Sequence, residues 1–504
     1  MPQTAETDAK DLARGAGVNY LGYGVRLGAR APFLFIAALL YGETRFGEYV
    51  FGLTVVETCA ALSLFGMKRS LFKFMSEATD QGASVHRAIA TGIALAAATG
   101  LIATIAVAGS ASLIAETFRL PSAGPVIYLL ALAIPLIVTS DILLVAIRFT
   151  RQMRFEVYAR SIAEPITLSL TAILVYKLGA SEYGLVISYL ASLVVAALST
   201  IFFFSRVFPF KACLRLPLEW PELKRLIRFS TPTAGYELLT QAGDQIDVLL
   251  VSYFSPAHVV GIYGMARQFA TFTRKVRQGF DRILPPVLSD AVITGDLNRV
   301  GSQVAIVSRW ILSVQVLLIL GFAWFADNVL GLLGGDFSAG AVALVLLLVG
   351  DTINGSLGVN ELPIIYLKPA INFFIGILRL LLVVGLGFWL VQEFSIEGIA
   401  IAVAAAYLVS NAARILFNRY AFKIRTLTPG IGKPVLAAIP AVGLAALSYT
   451  IFQELPLARE IVTPVVLLGV YLVALLKLGL EPQEQAQIQA LLERRSRRKQ
   501  PAGS

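Results

Sequence analysis

The stretch Leu223-Lys224-Arg225-Leu226-Ile227-Arg228-Phe229-Ser230-Thr231-Pro232-Thr233-Ala234-Gly235-Tyr236-Glu237-Leu238-Leu239-Thr240-Gln241-Ala242-Gly243-Asp244-Gln245-Ile246-Asp247-Val248-Leu249-Leu250-Val251-Ser252-Tyr253-Phe254 decides the fold. A basic end leads into a run long enough to cross a bilayer, for which a helix needs about 20 residues. Glu237, Gln241 and Asp244 follow helical spacing, and Asp247 comes three residues later. A carboxylate at the centre of a membrane helix costs about 2.5–3.5 kcal/mol on insertion scales. Three on one helix need water, partners or protons. The alternative is a helix end lying among lipid headgroups, which the apolar residues on both sides disfavour.

The rest of the chain agrees with a membrane reading. Of 504 residues, 57% are hydrophobic and only 15% are charged, and mean hydropathy is +0.75. A soluble chain carries about 25% charged residues. Apolar runs near 17–41, 46–67, 86–110, 124–147, 157–178, 183–205, 229–254, 258–283, 303–326, 338–358, 364–391, 396–417, 434–453 and 460–479 predict about fourteen transmembrane helices. They exceed the ~10 residues of a barrel strand. Residues 1–15 are polar and do not read as a signal peptide. Cys59 and Cys213 give no disulfide framework, and the isolated His86 and His258 give no metal spacing.

The net charge of +10 sorts by loop. With the N-terminus inside, the inner loops hold Lys68, Arg69, Lys73 and Arg87, then Arg148, Arg151 and Arg154, then the basic run from Arg206 to Arg228. Later inner loops hold Arg274 to Arg299 and Arg419 to Lys433. The opposite loops hold few cations: Arg45, Arg119, Lys177 and Arg459. This bias places both termini in the cytoplasm. It also explains most of the basic excess, so nucleic acid is not an expected partner. The tail from Glu481 to Ser504 ends in Arg494, Arg495, Arg497, Arg498 and Lys499. A surface helix on anionic lipid and a disordered tail are both open readings there.

An internal repeat is visible at an offset of 214 positions. Phe46-Gly47-Glu48-Tyr49 matches Val260-Gly261-Ile262-Tyr263, and Tyr183-Gly184-Leu185 matches Glu397-Gly398-Ile399. Six helices per half give a parallel repeat about an axis along the membrane normal. Gly-Tyr pairs at helix starts also recur by chance. The expected division is an N-terminal lobe (1–210, helices 1–6), a C-terminal lobe (211–430, helices 7–12), and two further helices with a basic tail (431–504). Arg30 then corresponds to Asp244, with opposite charge.

Chemistry should sit on the intramembrane charges. Arg26 and Arg30 share a helix face. Tyr263, Arg267, Thr271, Arg274 and Gln278 form a polar stripe. Arginine reads phosphate through paired, charge-assisted bonds, so Arg26, Arg30, Arg267 and Arg274 are candidate headgroup ligands in a cavity. The competing reading pairs these arginines with Glu237 or Asp247, or snorkels them to the inner surface, most readily Arg274. Glu57, Asp244 and Asp247 are candidates for proton or sodium coupling. Arg160 and Glu164, four apart, form a candidate internal pair. Asp141, Asp351, Arg309 and Arg379 are further intramembrane charges. No nucleophile motif, phosphate-binding glycine loop or metal cluster is present. Transport must therefore use a gradient or run downhill.

These residues resemble a family. Phe46-Gly47-Glu48-Tyr49 is similar to its "YG-x-Y" opening. Asp247-Val248-Leu249-Leu250-Val251-Ser252-Tyr253-Phe254 with Val260-Gly261-Ile262-Tyr263-Gly264-Met265-Ala266 is similar to its second-half signature. Over residues 10–480 the chain resembles a Wzx-type polysaccharide flippase of the multidrug/oligosaccharidyl-lipid/polysaccharide (MOP) exporter superfamily. The resemblance implies two six-helix lobes around a central cavity and no cofactor. It implies movement of undecaprenyl-diphosphate-linked oligosaccharide from the cytoplasmic to the periplasmic leaflet of a bacterial inner membrane. Its implied partners are the lipid-linked oligosaccharide, a proton or sodium ion, the bilayer, and a polysaccharide polymerase with export proteins. One departure is Leu39-Leu40-Tyr41-Gly42, which lacks the usual basic residue before the glycine.

Three competitors remain. A multidrug exporter of the same fold favours an anionic, aromatic cavity, against the arginines here. A membrane polymerase or ligase needs reactive residues on long outer loops, and these loops are short, so an enzyme is not expected. Lipid II flipping is mechanically the same process, and the residues do not separate it from oligosaccharide flipping.

Overall fold

The structure, a computed structural model, describes residues 2–80, 84–209, 219–280 and 284–478, with side chains from Gly28 onward except at 232, 280, 285–287, 290 and 456. The side chain of Arg26, Cys213 and the tail 481–504 lie outside the described residues. Within the described residues, every expected span falls mainly in helix. In order these are α1 (Pro2–Leu64), α2 (Met67–Asp80), α3 (Val85–Thr117), α4 (Gly124–Leu130) and α5 (Ala133–Phe149). A π-helical segment (Val157–Ala163) then leads into α6 (Glu164–Lys177), followed by α7 (Gly184–Val207), α8 (Trp220–Phe254) and α9 (Ala257–Phe280). The remainder is α10 (Leu284–Ile293), α11 (Leu297–Gly331), α12 (Ala341–Leu357), α13 (Glu361–Leu367), α14 (Pro369–Ala421), α15 (Lys433–Ile451) and α16 (Pro456–Lys477).

Nine helical stretches among the described residues are long and apolar enough to cross a membrane. Two of them, Gly28–Asp80 and Pro369–Ala421, are 53 residues long. A straight helix of that length would run to roughly 80 Å, against about 30 Å of hydrocarbon. Both are broken. The first kinks at Gly42, whose φ of 73° suits a residue without Cβ. The second kinks at Phe394 and Ser395, where Ser395 has a φ of 50°. Each therefore supplies two of the expected spans. The expected spans 157–178, 229–254 and 258–283 coincide with the less apolar helices, which carry Arg160 and Glu164, Asp244 and Asp247, and Arg267 and Arg274.

Contacts divide the chain into two compact units. Unit 1 comprises Met1–Phe269, Asp327–Leu344 and Gly376–Ala406; unit 2 comprises Ala270–Ala326, Val345–Ile375 and Tyr407–Ser504. These units differ from the segments 1–210, 211–430 and 431–504, which follow the sequence repeat rather than contact density.

In unit 1 the repeat has a direct structural counterpart. Gly47 and Gly261 are matched at the 214 offset, and they pack against each other. A Cβ on Gly47 would strike the carbonyl oxygen of Ala257; a Cβ on Gly261 would strike that of Glu43. Glu43 and Ala257 are themselves 214 apart. The contact is thus reciprocal, as at an isologous two-fold interface, and only glycine permits it. Around it Phe33, Phe46, Tyr49, Tyr263 and Phe337 are buried, and Phe46 meets Phe337 edge-on at 6.4 Å.

In unit 2, α10, α11 and the segment around Val359 and Ile424 share one apolar cluster through Leu288, Val300, Val304 and Ile311. α15 and α16 pack on α11 through Ala437, Ala441 and Ala445, whose spacing of four makes one small-residue face. Tyr471 donates to the Ser313 carbonyl at 2.8 Å. Lipid-facing positions of these helices, such as Ile439, Leu447 and Ile461, stay exposed.

Candidate functional site

Arg309 is buried on α11; among the described residues, three groups gather most of the other charges of the helix interiors. The first is in unit 1 and takes most of the predicted site. Gln245 on α8 donates to Glu57 Oε2 at 3.4 Å and accepts from Arg267 Nη1 at 3.3 Å. Arg267 on α9 reaches back across α8. Its Nε lies 2.7 Å from Asp247 Oδ2, and its Nη2 donates to the Asp244 carbonyl. Tyr263, one turn before Arg267, donates to Asp247 Oδ2 at 2.8 Å. Glu57, Asp244, Asp247 and Arg267 therefore belong to one connected chain of polar contacts. Asp247 Oδ1 is buried and meets no donor among the described residues. Arg267 takes the internal pairing with Asp247 that the sequence offered as its alternative.

Arg30 adjoins this chain. The carboxylates of Glu164 and Glu57 act on it from α6 and α1, and the uncharged rings of Tyr49 and Tyr189 adjoin it from α1 and α7. Among the described residues it makes no ion pair within 4 Å. The Tyr49 and Tyr189 rings pack edge-on at 6.0 Å, and the buried Tyr49 hydroxyl has no hydrogen-bond partner among the described residues. Arg30 is thus half-buried and framed by two tyrosines and two carboxylates, none of which closes on it. Nearby, Arg379 of α14 lays its guanidinium on the backbone of α8 at Gly243, where a Cβ would collide with it. The sequence singled out Arg379 as an intramembrane charge but not its seat beside Asp244, which depends on a missing side chain.

The second group is also in unit 1 and surrounds Asp141 of α5. Lys68 Nζ on α2 lies 2.6 Å from Asp141 Oδ2, and Arg160 contacts Oδ1. The expected pair of Arg160 with Glu164 is corrected here: Arg160 makes its ion pair with Asp141, and Glu164 acts on it only through its longer-range field. The physical reason is the π-helical segment Val157–Ala163. Its i→i+5 winding takes residues four apart out of register, so Arg160 turns to α5.

The third group lies in unit 2. Arg274 pairs with the buried Asp351 at 3.3 Å. Arg277 and Arg414 hold the two oxygens of Glu361, with Arg414 Nη2 at 3.1 Å from Oε2. Arg414 also donates to Asn372 and Asn411, at 3.2 and 3.0 Å. Sequence reading missed the Glu361–Arg414 cluster. Its signal was available, because Asn372, Asn411, Arg414 and Asn418 all interrupt apolar runs.

Among the described residues no group of three His, Cys, Asp or Glu side chains could hold a metal ion. Each group brings cations and carboxylates together within helices.

No curated protein sequence matches the chain. Among solved structures it is similar to the lipid II flippase MurJ in an inward closed conformation, with a TM-score of 0.73 and 14% identity over 90% of this chain and 98% of that one. It is also similar to an inward-facing multidrug resistance MATE family transporter of the MOP superfamily, with a TM-score of 0.67 and 14% identity over 80% of this chain and 99% of that one. The Vibrio cholerae MATE transporter VcmN in its bent form matches with a TM-score of 0.51 and 14% identity, over 82% of this chain and 98% of that one. At such identities the likeness is one of fold. Residues 36–342 match the family described as "Polysaccharide biosynthesis protein". With most of its length in that match and a fold similar to these transporters over four fifths or more of the chain, this multi-pass membrane protein belongs to the polysaccharide biosynthesis protein family, as its Wzx-type motifs implied.

Proposed function

We propose that the protein is a flippase that carries an undecaprenyl-diphosphate-linked oligosaccharide from the inner to the outer leaflet of the bacterial inner membrane, with both termini in the cytoplasm, and that it is not an enzyme. Arg30 is the observation that carries this reading. A cation at membrane depth that no carboxylate closes on is costly unless something else completes it, and a phosphate-bearing headgroup would. Arg26, Arg267 and Arg274 are proposed as further headgroup contacts, which Arg267 and Arg274 can make only by leaving Asp247 and Asp351. Glu57, Asp244 and Asp247 are proposed to couple a proton or sodium gradient to exchange between two states of the lobes 1–210 and 211–430. The bare Oδ1 of Asp247 supports that role. A bound ion shifts the two states only by its difference in affinity for them. A polymerase and export proteins would take up the product.

The test is flipping of labelled lipid-linked oligosaccharide in vesicles, with lipid II as the competing cargo. Arg30→Ala should lower flipping while the protein stays folded and inserted. Normal flipping by that variant would sink the headgroup reading. Reporter fusions after Phe337 and Glu454 should report periplasm, and one after Arg425 cytoplasm; the reverse pattern would overturn the orientation.

A further inference from the structure

A cluster outside the intramembrane site joins the two repeat halves within unit 1. It lies at the end of the helices that the loop charges assign to the cytoplasm. α2 and the start of α3 supply Lys73, Glu77 and Arg87; the start of α8 supplies Glu219, Glu222 and Arg225. Arg225 Nη2 lies 2.8 Å from Glu77 Oε2, and Arg87 Nη1 lies 3.1 Å from Glu219 and 3.8 Å from Glu222. Lys73 adds a contact to Glu77 at 3.7 Å. A little further along, Arg69 reaches Glu237 at 3.7 Å. The pairs cross in both directions, with a cation from each half meeting carboxylates of the other. Between them is a cavity of about 110 Å³ lined by Phe74, Glu77, Arg87, Thr91, Glu222 and Arg225. Arg87 Nε is buried there with no acceptor among the described residues.

Two features make this more than a solvated charged face. The cluster is neutral as it stands, with Lys73, Arg87 and Arg225 against Glu77, Glu219 and Glu222, so another anion can bind its arginines only by displacing carboxylates. Displacement would release both crossed pairs together. The side chains are also partly exposed, from about a third to more than half, which keeps each pair weak and reversible. Phosphate is the anion best matched to take them over, because two arginine forks bind its oxygens in pairs.

We propose that this cluster is an electrostatic latch between the repeat halves, opened when the phosphate group of an arriving lipid headgroup takes Arg87 and Arg225 from Glu77, Glu219 and Glu222. The proposal rests on the flippase reading above and adds a first contact for the cargo, separate from Arg30.

The test reads the cavity rather than transport. In full-length protein carrying Cys59→Ser and Cys213→Ser, Ala88→Cys places a thiol on the cavity wall, buried while the latch is closed. Its rate of reaction with a polar maleimide is followed in mixed micelles at fixed ionic strength. Undecaprenyl diphosphate should raise the rate roughly tenfold, as a lipid-driven shift between closed and open populations would. Phosphatidylglycerol, with a single shared phosphate charge, should not. Glu77→Gln with Glu222→Gln should raise the rate without lipid. Arg87→Gln with Arg225→Gln should give a rate that no longer answers to undecaprenyl diphosphate, with melting temperature checked to confirm folding. A rise with soluble inorganic diphosphate supports recognition of the anion and frees it from the lipid tail. An unchanged rate with undecaprenyl diphosphate, an equal rise with phosphatidylglycerol, or a full response in the double-arginine variant would each overturn the latch. The two readings fail separately. Normal flipping with a flat labelling rate removes the latch alone, and a responsive latch without flipping removes the transport reading alone.

Discussion

Asp141 and Arg30 are both charged, both at membrane depth and both in unit 1, yet their surroundings differ in kind. Asp141 is held at each oxygen, by Lys68 and by Arg160. Arg30 lies in the field of Glu57 and Glu164 and, among the described residues, makes an ion pair with neither. Three helices are fastened together at Asp141, as befits a scaffold. At Arg30 the protein leaves electrostatic valence unspent. The Asp247–Arg267 pair is intermediate: one carboxylate oxygen is engaged by Arg267 and Tyr263, and the other is bare. An intramembrane charge thus says little about its role until its partners have been counted.

The comparison breaks most sharply if Asp141 is not structural. Arg160→Ala should cost about 3 kcal/mol, because it leaves one oxygen of a buried carboxylate without its cation while Lys68 keeps the other. Purified protein should melt far earlier or fail to accumulate. A melt within a degree or two of the parent would remove Asp141 from the scaffold. At Arg30 the same truncation should leave stability within about 1 kcal/mol while flipping falls. Arg30→Lys should recover only part of the transport, since a point charge replaces a planar fork. Recovery in full would make the site a simple counter-charge. A finer discrimination comes from Glu57→Gln and Asp247→Asn, which should keep basal flipping but blunt its response to an imposed proton or sodium gradient. A normal gradient response in both would leave these carboxylates as counter-ions only. The smallest effect is expected at the exposed Arg45–Glu182 contact, 3.7 Å long: Glu182→Gln should move stability by less than about 1 kcal/mol. A larger shift there would mean that exposure is a poor guide to the worth of charges in this protein.

Much of the architecture could be read without coordinates, because an apolar run of membrane length has few alternatives. The spans containing residues 46–67 and 396–417 were legible even where the helices continue through kinks at Gly42 and Ser395. α2 was not legible. Its fourteen residues alternate faces at helical period, but Lys68, Arg69 and Lys73 made it read as a loop. At the site, Glu57, Asp244, Asp247 and Arg267 stood out because charge is scarce in such runs. The pairing of Arg267 with Asp247 was among the readings offered, but the bridge through Gln245 was not, because Gln245 is unremarkable in sequence. The seat of Arg379 depends on the absence of a Cβ at Gly243, which no periodicity reports.

Gly47 and Gly261 lie where the repeat touches itself. At most matched positions the two halves differ, as far as placing Arg30 opposite in sign to its counterpart Asp244. On the axis that difference ends, because each residue has its own image for a neighbour. A bulkier side chain in one copy could not be accommodated by shrinking the other, which is already glycine. The two halves can therefore acquire different chemistries while remaining bound to one shared geometry at the point where they meet.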